Sequence, residues 1–488
     1  MSIASVPTGA SQSARAVFVP PARTAAVVAT QATGDVLAVT LAAAAALWVR
    51  IVIIGALTYR PYLRLFLLVM IFFPIAYAYT GLYPGYGVGP VERSRRLFRS
   101  TTLVSLLALL YSLLLKETGL FSRVVLMVWW GFNVALVPLV RMATQAALSR
   151  IGWWGAPALV LGAGKTGEMV ARKLLHDPGL GLRPVAFLDD DSKKQGSVCA
   201  GLPVKGPLRL APKLARAWRI GLAVVAMPGL AREDLLRIVE DHAVVFPRIL
   251  IIPDLWGLTS LGVEARDLQG VLGLEVRQNL LHPWNRVLKR AADLAVALPL
   301  LMLTLPFILA ACAAIRLRSP GPGFYTQERE GLLGRRVRVL KIRTMVPDAE
   351  AVLENYLCAH PEAGQEWQAH MKLRADPRII PGVGRFLRRF SLDELPQLWN
   401  VVKGEMSLVG PRPFPDYHLR KFPETFRQLR RKVPPGLTGL WQVSERSEGD
   451  LGLQEDLDTY YIRNWSLWLD VYLLARTARA VLFGKGAY

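Results

Sequence analysis

Four apolar segments occupy the first third of the chain, and polar residues separate them. They span residues 36–57, 65–83, 101–115 and 124–148. A helix crosses the apolar core of a bilayer with about 20 such residues, so the third segment has to extend into its flanks. The pattern predicts a four-helix transmembrane domain over residues 31–150. Residues 1–30 are rich in Ala, Ser, Thr and Pro and lack the apolar core of a signal peptide, so we expect a disordered cytoplasmic tail.

An arginine cluster between the second and third apolar segments sets the expected orientation. Its members are Arg93, Arg95, Arg96 and Arg99. The positive-inside rule places this loop in the cytoplasm, and an even number of spans returns the chain to the side on which it began. We therefore expect a multi-pass membrane protein whose C-terminal part is cytoplasmic.

Short apolar runs alternate with amphipathic ones over residues 151–265, which is typical of a Rossmann-like α/β domain. A run ending at Gly162 leads through G-x-G-x-x-G to Gly167 and a helical pattern, and a later run ends at Asp189. The glycines indicate either dinucleotide binding or a tight turn needed only for packing. We expect a structural or regulatory role, with no cofactor bound here for the reaction.

A further apolar segment at residues 291–315 follows a predicted linker at 266–285 and is long enough for a fifth span. Pro299 and Pro306 interrupt it, and a full crossing would carry the remaining chain to the other face of the membrane. We predict instead a re-entrant helix that enters and leaves on one face. This helix would belong to an α+β catalytic domain over residues 286–488.

The charge of the chain indicates its partners. A net charge of +22 favours anionic lipid, nucleic acid or phosphorylated ligands. Because 52% of the residues are hydrophobic, a membrane partner is preferred and nucleic acid is not expected. Cys199, Cys312 and Cys358 lie far apart, which indicates neither a disulfide framework nor a zinc site.

Candidate chemistry concentrates in residues 391–413. Asp393 and Glu394 stand next to Pro396, which favours the first turn of a helix. Ser391 and Glu394 also match the S-x-x-E capping box, so spacing alone favours helix capping over catalysis. Arg412 lies in the stiff turn 410–413, where its planar guanidinium could bind a phosphate.

This segment resembles the signature of the bacterial sugar transferases, the polyprenyl-phosphate hexose-1-phosphate transferases. Further motifs similar to those of the family lie at residues 319–325, 341–345, 437–444 and 460–466. The resemblance implies that Asp393 is the nucleophile, and that Glu394 acts with it and helps to hold Mg²⁺. It also favours Arg412, Lys341 and Arg343 as substrate-binding residues.

The resemblance also implies a reaction. Members transfer hexose-1-phosphate from a UDP-hexose to undecaprenyl phosphate, releasing UMP through an aspartyl-phosphosugar intermediate. They start exopolysaccharide, capsule or O-antigen synthesis at the bacterial inner membrane, and a homodimer is compatible with the family. Residues 81–92 are similar to a stretch of the large galactose-transferring members, so we expect galactose, with glucose as the alternative.

Two other functions stay open at this point. The glycine fingerprint, together with Tyr417 and Lys421 in a Y-x-x-x-K spacing, is compatible with a membrane-anchored, NAD-dependent nucleotide-sugar epimerase or dehydratase. A scaffold that senses a nucleotide and recruits glycan-synthesising enzymes would need no catalytic residues. UMP release from a UDP-sugar separates these alternatives from the transferase.

Overall fold

The computed structural model describes residues 21–55, 60–114, 122–243, 245–253, 263–268, 271–276, 283–360, 362, 364, 367, 373, 376–444 and 451–482. The chain divides into two compact units, Met1–Trp256 and Gly257–Tyr488. The helices of the first unit are α1 (Pro21–Ile54), α2 (Arg60–Met70), α3 (Phe72–Tyr79), α4 (Pro90–Leu114), α5 (Arg123–Arg150), α6 (Lys165–His176), α7 (Ala211–Trp218) and α8 (Arg232–Ala243). Its strands are β1 (Ala156–Leu161), β2 (Leu182–Leu188), β3 (Val198–Cys199), β4 (Leu202–Pro203), β5 (Leu222–Val225) and β6 (Arg248–Ile251).

Four apolar helical segments of this unit are long enough to cross a membrane, as the hydrophobic pattern predicts. They are Arg23–Ile53, Tyr62–Tyr79, Pro90–Leu114 and Arg123–Arg150. The second consists of α2 and α3, which are separated at Ile71. Two expectations need correction. The predicted tail is helical from Pro21 onward, because proline suits a first turn and alanine favours helix, while residues 1–20 lie outside the described part.

The arginine cluster is the second correction, since all four arginines belong to α4 instead of a loop. Pro90 starts this helix about three turns earlier than the apolar pattern indicates, since that pattern begins at residue 101. Several of the charges are bound within the unit. Arg96 contacts Glu92 at 2.8 Å and Arg95 contacts the same carboxylate at 2.5 Å.

A buried ion pair joins α1 to α5. The Arg141 guanidinium donates from Nε and Nη2 to the two oxygens of Asp35, at 2.8 and 2.6 Å. The Tyr83 hydroxyl donates to the same carboxylate. Gly34 allows the close approach, because a Cβ there would lie 3.0 Å from Thr144. Removing one partner would leave a buried charge uncompensated, so the pair fixes the register of the two helices.

The Rossmann-like prediction is confirmed by a four-stranded parallel sheet of order β2-β1-β5-β6. Gly162 follows β1 with φ +102°, a conformation that disfavours other residues. A Cβ on Gly167 would lie 2.0 Å from the Gly162 carbonyl oxygen. Both glycines are therefore required for packing at the turn from β1 into α6.

Helices α1 and α5 share a hydrophobic cluster with the sheet, and this cluster is separate from the main core of the membrane helices. Tyr86, in the loop after α3, packs edge-on against Trp154 with ring centroids 5.1 Å apart. Their cluster consists of Val27, Tyr86, Leu148, Trp154, Ala158, Leu174, Leu182, Leu222 and Val224. The predicted domains 31–150 and 151–265 are thus parts of one compact unit, a correction that arises because the loop carries its aromatic side chain into the core of the sheet.

The second unit is built from one long helix, small sheets and short helices. Its helices are α9 (Pro283–Arg318), α10 (Ala349–Ala359), α11 (Val383–Arg389), α12 (Gln397–Lys403), α13 (Asp416–Leu419), α14 (Glu424–Arg430), α15 (Leu440–Val443), α16 (Leu451–Asn464) and α17 (Leu467–Leu482). Its strands are β7 (Val263–Leu268), β8 (Val271–Val276), β9 (Phe324–Glu330), β10 (Arg336–Ile342), β11 (Ser407–Val409) and β12 (Gly436–Thr438). The first two strands form an antiparallel pair, so the region predicted as a linker contains a β-hairpin. Alternation of apolar and polar residues along β7 accounts for it.

The helix α9 contains Pro299 and Pro306, and it is a fifth segment long and apolar enough to cross a membrane. Re-entrance of this segment stays a prediction. The C-terminal helix α17 does not present its whole apolar surface outward, because Leu469 and Leu473 are buried within the unit.

We predict that Trp154→Ala destabilises the membrane helices and the sheet together. Trp154 is 1% exposed, and truncating a buried tryptophan costs about 3–5 kcal/mol of unfolding free energy. Trp153→Ala is the matched control. The Trp153 side chain is 43% exposed, so its truncation should change stability little. Thermal unfolding of the full chain in detergent, followed by proteolysis at rising temperature, measures both. Loss of the sheet alone, with α4 and α5 still protected, would contradict the shared cluster.

Candidate active site

The two candidate carboxylates lie in a tight turn between two helices. Leu392–Glu394 form one 3₁₀ turn, and α12 begins just after Pro396. Ser391 adopts a left-handed conformation, with φ 53°, and its side chain makes no capping hydrogen bond. The capping box that the spacing allowed is therefore not formed, and the Glu394 side chain is free to act elsewhere.

Glu394 is held between two cations from distant parts of the chain. Lys341 Nζ lies 2.7 Å from Glu394 Oε1, and Arg412 Nη2 lies 3.0 Å from the same oxygen. Burial alone would raise the pKa of Glu394, but the charges of Arg412 and Lys341 outweigh it and hold that pKa at about 2. Glu394 is therefore ionised throughout the physiological range.

Asp393 has a different environment. It is 9% exposed, and apart from its own amide no residue in the described part donates a hydrogen bond to its carboxylate. Burial raises the pKa of Asp393 and the negative charge of Glu394 adds to that effect, while Lys341 and Arg388 oppose it. The site thus contains two different carboxylates. Glu394 is ion-paired with two cations, whereas the uncommitted Asp393 lacks such a partner and is the more basic of the two.

Lys341 is positioned by the strand pair β9–β10 and by Asn400. The Asn400 amide accepts from Leu340 N at 3.1 Å and donates to Arg338 O at 2.8 Å, as a neighbouring strand would. Because Asn400 lies in α12, directly after the carboxylates, this contact fixes Lys341 relative to Glu394.

Arg412 is positioned by the turn after β11. The Val409 carbonyl accepts from Lys289 Nζ at 3.0 Å and from the Tyr461 hydroxyl at 2.8 Å. Arg430 donates to the carbonyl oxygen of Arg412 itself. A Cβ on Gly436 would lie 2.1 Å from the amide nitrogen of Gly410, so the two backbones approach more closely than any side chain permits.

The first turns of α9 anchor this framework. Lys289 also pairs with Asp470 at 2.7 Å, and both residues are buried. Asp293 accepts from the Ser407 hydroxyl at 2.8 Å, and Arg290 Nη2 donates to the Val402 carbonyl at the end of α12 at 2.6 Å. One helix therefore holds both segments that carry Glu394 and Arg412.

The Arg343 side chain binds backbone groups of its own unit, and its role in substrate binding stays a prediction. Its Nη1 and Nη2 donate to the carbonyls of Pro320 and Ser319, at 2.6 and 2.8 Å, and its side chain is buried. Strand alternation would put Arg343 on the face of Lys341, but β10 ends at Ile342, so the alternation stops before it. Arg343 holds the loop that follows α9.

Arg329 is a further residue of the site that no sequence pattern indicates. This side chain lines a solvent-open cavity together with Lys341, Glu394 and Arg412. Its strand β9 reads FYTQERE, with both signs of charge, and gives no periodic signal for a binding residue. Of the three arginines upstream of the carboxylates, Arg385 and Arg389 are exposed, whereas Arg388 is close enough to influence Asp393.

The residues present are compatible with the expected Mg²⁺. Of the residues that the structure describes, no three His, Cys, Asp or Glu side chains cluster to hold a metal. Mg²⁺ is often bound by one or two carboxylates together with water and substrate phosphates. The contacts to Glu394 all involve Oε1, and no described donor reaches Oε2, so one oxygen stays available.

The glycine fingerprint is explained by local contacts. The Asp189 carboxylate accepts from the Ala163 amide at 2.8 Å and from Lys194 at 3.0 Å, so the fingerprint's acidic residue binds its own loop. Tyr417 lies in α13 of the second unit, whereas the fingerprint lies in the first. The pair required by the epimerase alternative is therefore in a different unit from the glycines. Absence of a reaction cofactor here stays a prediction.

Comparisons with known proteins cover both units. Residues 284–484 match the bacterial sugar transferase family and residues 79–253 match a CoA-binding domain family. The chain is 34% identical over 397 residues to a UDP-galactose-lipid carrier transferase of Erwinia amylovora, covering 81% of this chain and 82% of that protein. It is 33% identical over 373 residues to an undecaprenyl-phosphate galactose phosphotransferase of Salmonella typhimurium, covering 75% and 77%. A UDP-glucose:undecaprenyl-phosphate glucose-1-phosphate transferase of Escherichia coli is 32% identical over 329 residues, covering 66% and 67%.

We predict that Glu394→Gln and Lys341→Gln move the acid limb of the pH–activity profile in opposite directions. Asp393 becomes protonated, and so loses its nucleophilic form, as the pH falls through its raised pKa. The charge of Glu394 raises that pKa, and the charge of Lys341 lowers it. Glu394→Gln should therefore move the limb to lower pH, and Lys341→Gln to higher pH. The measurement is residual kcat/KM against pH at high enzyme concentration.

Glu328→Gln is the control, since Glu328 is an exposed carboxylate on β9 and should leave the limb unchanged. A limb that moves the same way in both test variants would assign it to a group other than Asp393.

Proposed function

The chain belongs to the bacterial sugar transferase family and is a phosphoglycosyl transferase acting on a polyprenyl phosphate, and we propose that it transfers galactose-1-phosphate from UDP-galactose to undecaprenyl phosphate. The observation that carries this proposal is the uncommitted Asp393 beside Glu394, which two cations hold ionised. UMP is released, and the lipid-linked product starts an exopolysaccharide, capsule or O-antigen.

In the first step a carboxylate oxygen of Asp393 attacks the sugar-bearing phosphorus. A bond forms between that oxygen and phosphorus, the bond from phosphorus to the bridging oxygen breaks, and UMP leaves with the electron pair. Burial and the charge of Glu394 make Asp393 more basic than an ordinary aspartate, which strengthens it as a nucleophile.

In the second step a phosphate oxygen of the lipid attacks the same phosphorus. The aspartyl oxygen–phosphorus bond breaks, and Asp393 regains its carboxylate. Lys341 and Arg412 stabilise the phosphate charge in both steps, since they converge on Glu394 from one side of the cavity. No proton transfer is needed in either step.

Glu394 would hold Mg²⁺ through Oε2, with Asp393 as its neighbour. When bound, Mg²⁺ supplies charge neutralisation to the diphosphate, which otherwise repels an attacking carboxylate. Lys341 and Arg412 keep Glu394 ionised throughout the physiological pH range, and the ionised carboxylate is the form that can bind a metal.

Galactose is favoured over glucose by two relatives that match more of the chain. The proteins named for galactose align with 81% and 75% of it, and the protein named for glucose aligns with 66%. Within the chain, residues 81–92, which include the loop before α4 and its first residues, resemble the galactose-transferring members.

We predict that UDP-galactose alone leaves a galactose-phosphate adduct on the Asp393 peptide, with one equivalent of UMP released. Adding undecaprenyl phosphate should give continuous UMP release, faster than with UDP-glucose. Asp393→Asn keeps the shape of the side chain but removes the anionic nucleophile, so transfer should fall by on the order of 10³-fold or more. Mass spectrometry of the peptide and a UMP assay measure these results.

Asp416→Asn is the matched control, because Asp416 is an exposed aspartate of the same unit that pairs with Arg336. UMP release that needs lipid and leaves no adduct would replace the two steps by direct transfer. NAD-dependent sugar conversion without UMP release would instead support the epimerase alternative.

We further propose that α9, a continuous helix that contains Pro299 and Pro306, bends at these prolines in the inner membrane and so enters and leaves on the cytoplasmic face. Arg338→Cys, in a chain without its native cysteines, should react with an impermeant maleimide only after cell lysis. Arg338 is a suitable site since its side chain is 79% exposed. Efficient labelling of intact cells would indicate a true fifth span.

A further inference from the structure

The cavity beside Glu394 contains more cations than that carboxylate can neutralise. Arg329, Lys341 and Arg412 line it, and Glu394 is its one acidic lining residue. Lys341 and Arg412 both contact Glu394 Oε1 and so share one negative charge. Arg329 has no such partner, because no carboxylate of the described residues lies within salt-bridge distance of it.

Strand register places Arg329 on the same face of the hairpin as Lys341. Arg329 lies opposite Val337 in the antiparallel pair, and Tyr325 lies opposite Lys341. Residues directly opposite each other share a face, and every second residue returns to it. Both side chains therefore project from one face, with Val339 between them lining the same cavity.

The Arg329 guanidinium is bound only weakly in the free protein. Its partner is the neutral amide oxygen of Gln327 on the same strand. Burial lowers the pKa of Arg329, and the nearby positive charge of Arg412 acts in the same direction. A partly buried cation beside two others is therefore stabilised by an anionic ligand more than an exposed arginine would be.

We propose that Arg329 binds the diphosphate of the nucleotide sugar, as a third cation beside Lys341 and Arg412. The inference rests on the proposed function, which supplies a diphosphate with two negative charges. That charge matches the excess of cations in the cavity. The planar guanidinium also suits bidentate contact with phosphate oxygens, which a lysine cannot make.

The test measures ligand binding and turnover on the full-length protein in detergent. Arg329→Gln should weaken UDP binding by about ten- to a hundredfold, the effect of losing a hydrogen bond to a charged group. It should weaken inhibition by inorganic pyrophosphate equally and leave uridine binding unchanged. Arg329→Lys keeps the charge but not the fork, and it should give an intermediate loss. KM for the UDP-hexose should rise in the same order.

Arg338→Gln is the matched control. Arg338 lies on β10 of the same hairpin, and its exposed side chain is 3.5 Å from Glu328, so its loss should not affect UDP binding. Arg329→Lys keeps the test informative if Arg329→Gln unfolds in a thermal melt.

Three outcomes overturn the inference. One is unchanged UDP binding in Arg329→Gln. Another is an equal loss of UDP and uridine binding, which would indicate a structural role. The third is failure of Arg329→Lys to bind better than Arg329→Gln. Failure of the proposed function is a separate result, since the wild-type protein would then release no UMP whatever Arg329 does.

Discussion

The site depends on one carboxylate oxygen that two cations share. Glu394 Oε1 accepts from Lys341 and Arg412, which lie 53 and 18 residues away in sequence. Such convergence requires three chain segments to be fixed to a few tenths of an ångström. Much of the second unit serves this requirement. Asn400 fixes β10, Arg430 binds the carbonyl of Arg412, and α9 holds the ends of both α12 and β11.

The side chains that hold these segments are polar and buried, and burying a polar group destabilises the fold unless it is hydrogen-bonded. Lys289, Asp293 and Asp470 are each less than 10% exposed, and an unpaired charge in such a place would destabilise the fold strongly. The network avoids this because each charge has several partners. Asp470 accepts from Lys289, from the Tyr461 hydroxyl and from the Trp465 indole. A network of this kind tolerates few alternative packings, so it specifies geometry more than it adds stability.

The sequence predicts those features that depend on local pattern. The apolar segments, the parallel strands and the helix start beside Pro396 follow from hydrophobic period, glycine spacing and proline placement. Features that depend on contacts between distant residues were missed or misassigned. Strand alternation would place Arg343 on the face of Lys341, but the strand ends at Ile342, between the two residues. Tyr86 joins the core of the sheet, and Arg329 enters the cavity, through pairings that no local periodicity encodes.

Adjacent carboxylates take opposite pKa shifts here because of the turn that contains them. Successive residues of a 3₁₀ turn point about 120° apart, so Asp393 and Glu394 cannot face the same partners. Glu394 meets the cations, and its pKa falls to about 2. Asp393 meets a buried, donor-poor environment and the charge of its neighbour, and its pKa rises. The ionised Glu394 therefore affects its neighbour, because its negative charge adds to burial in raising the pKa of Asp393. In the proposed mechanism, this separation assigns metal binding to Glu394 and nucleophilic attack to Asp393.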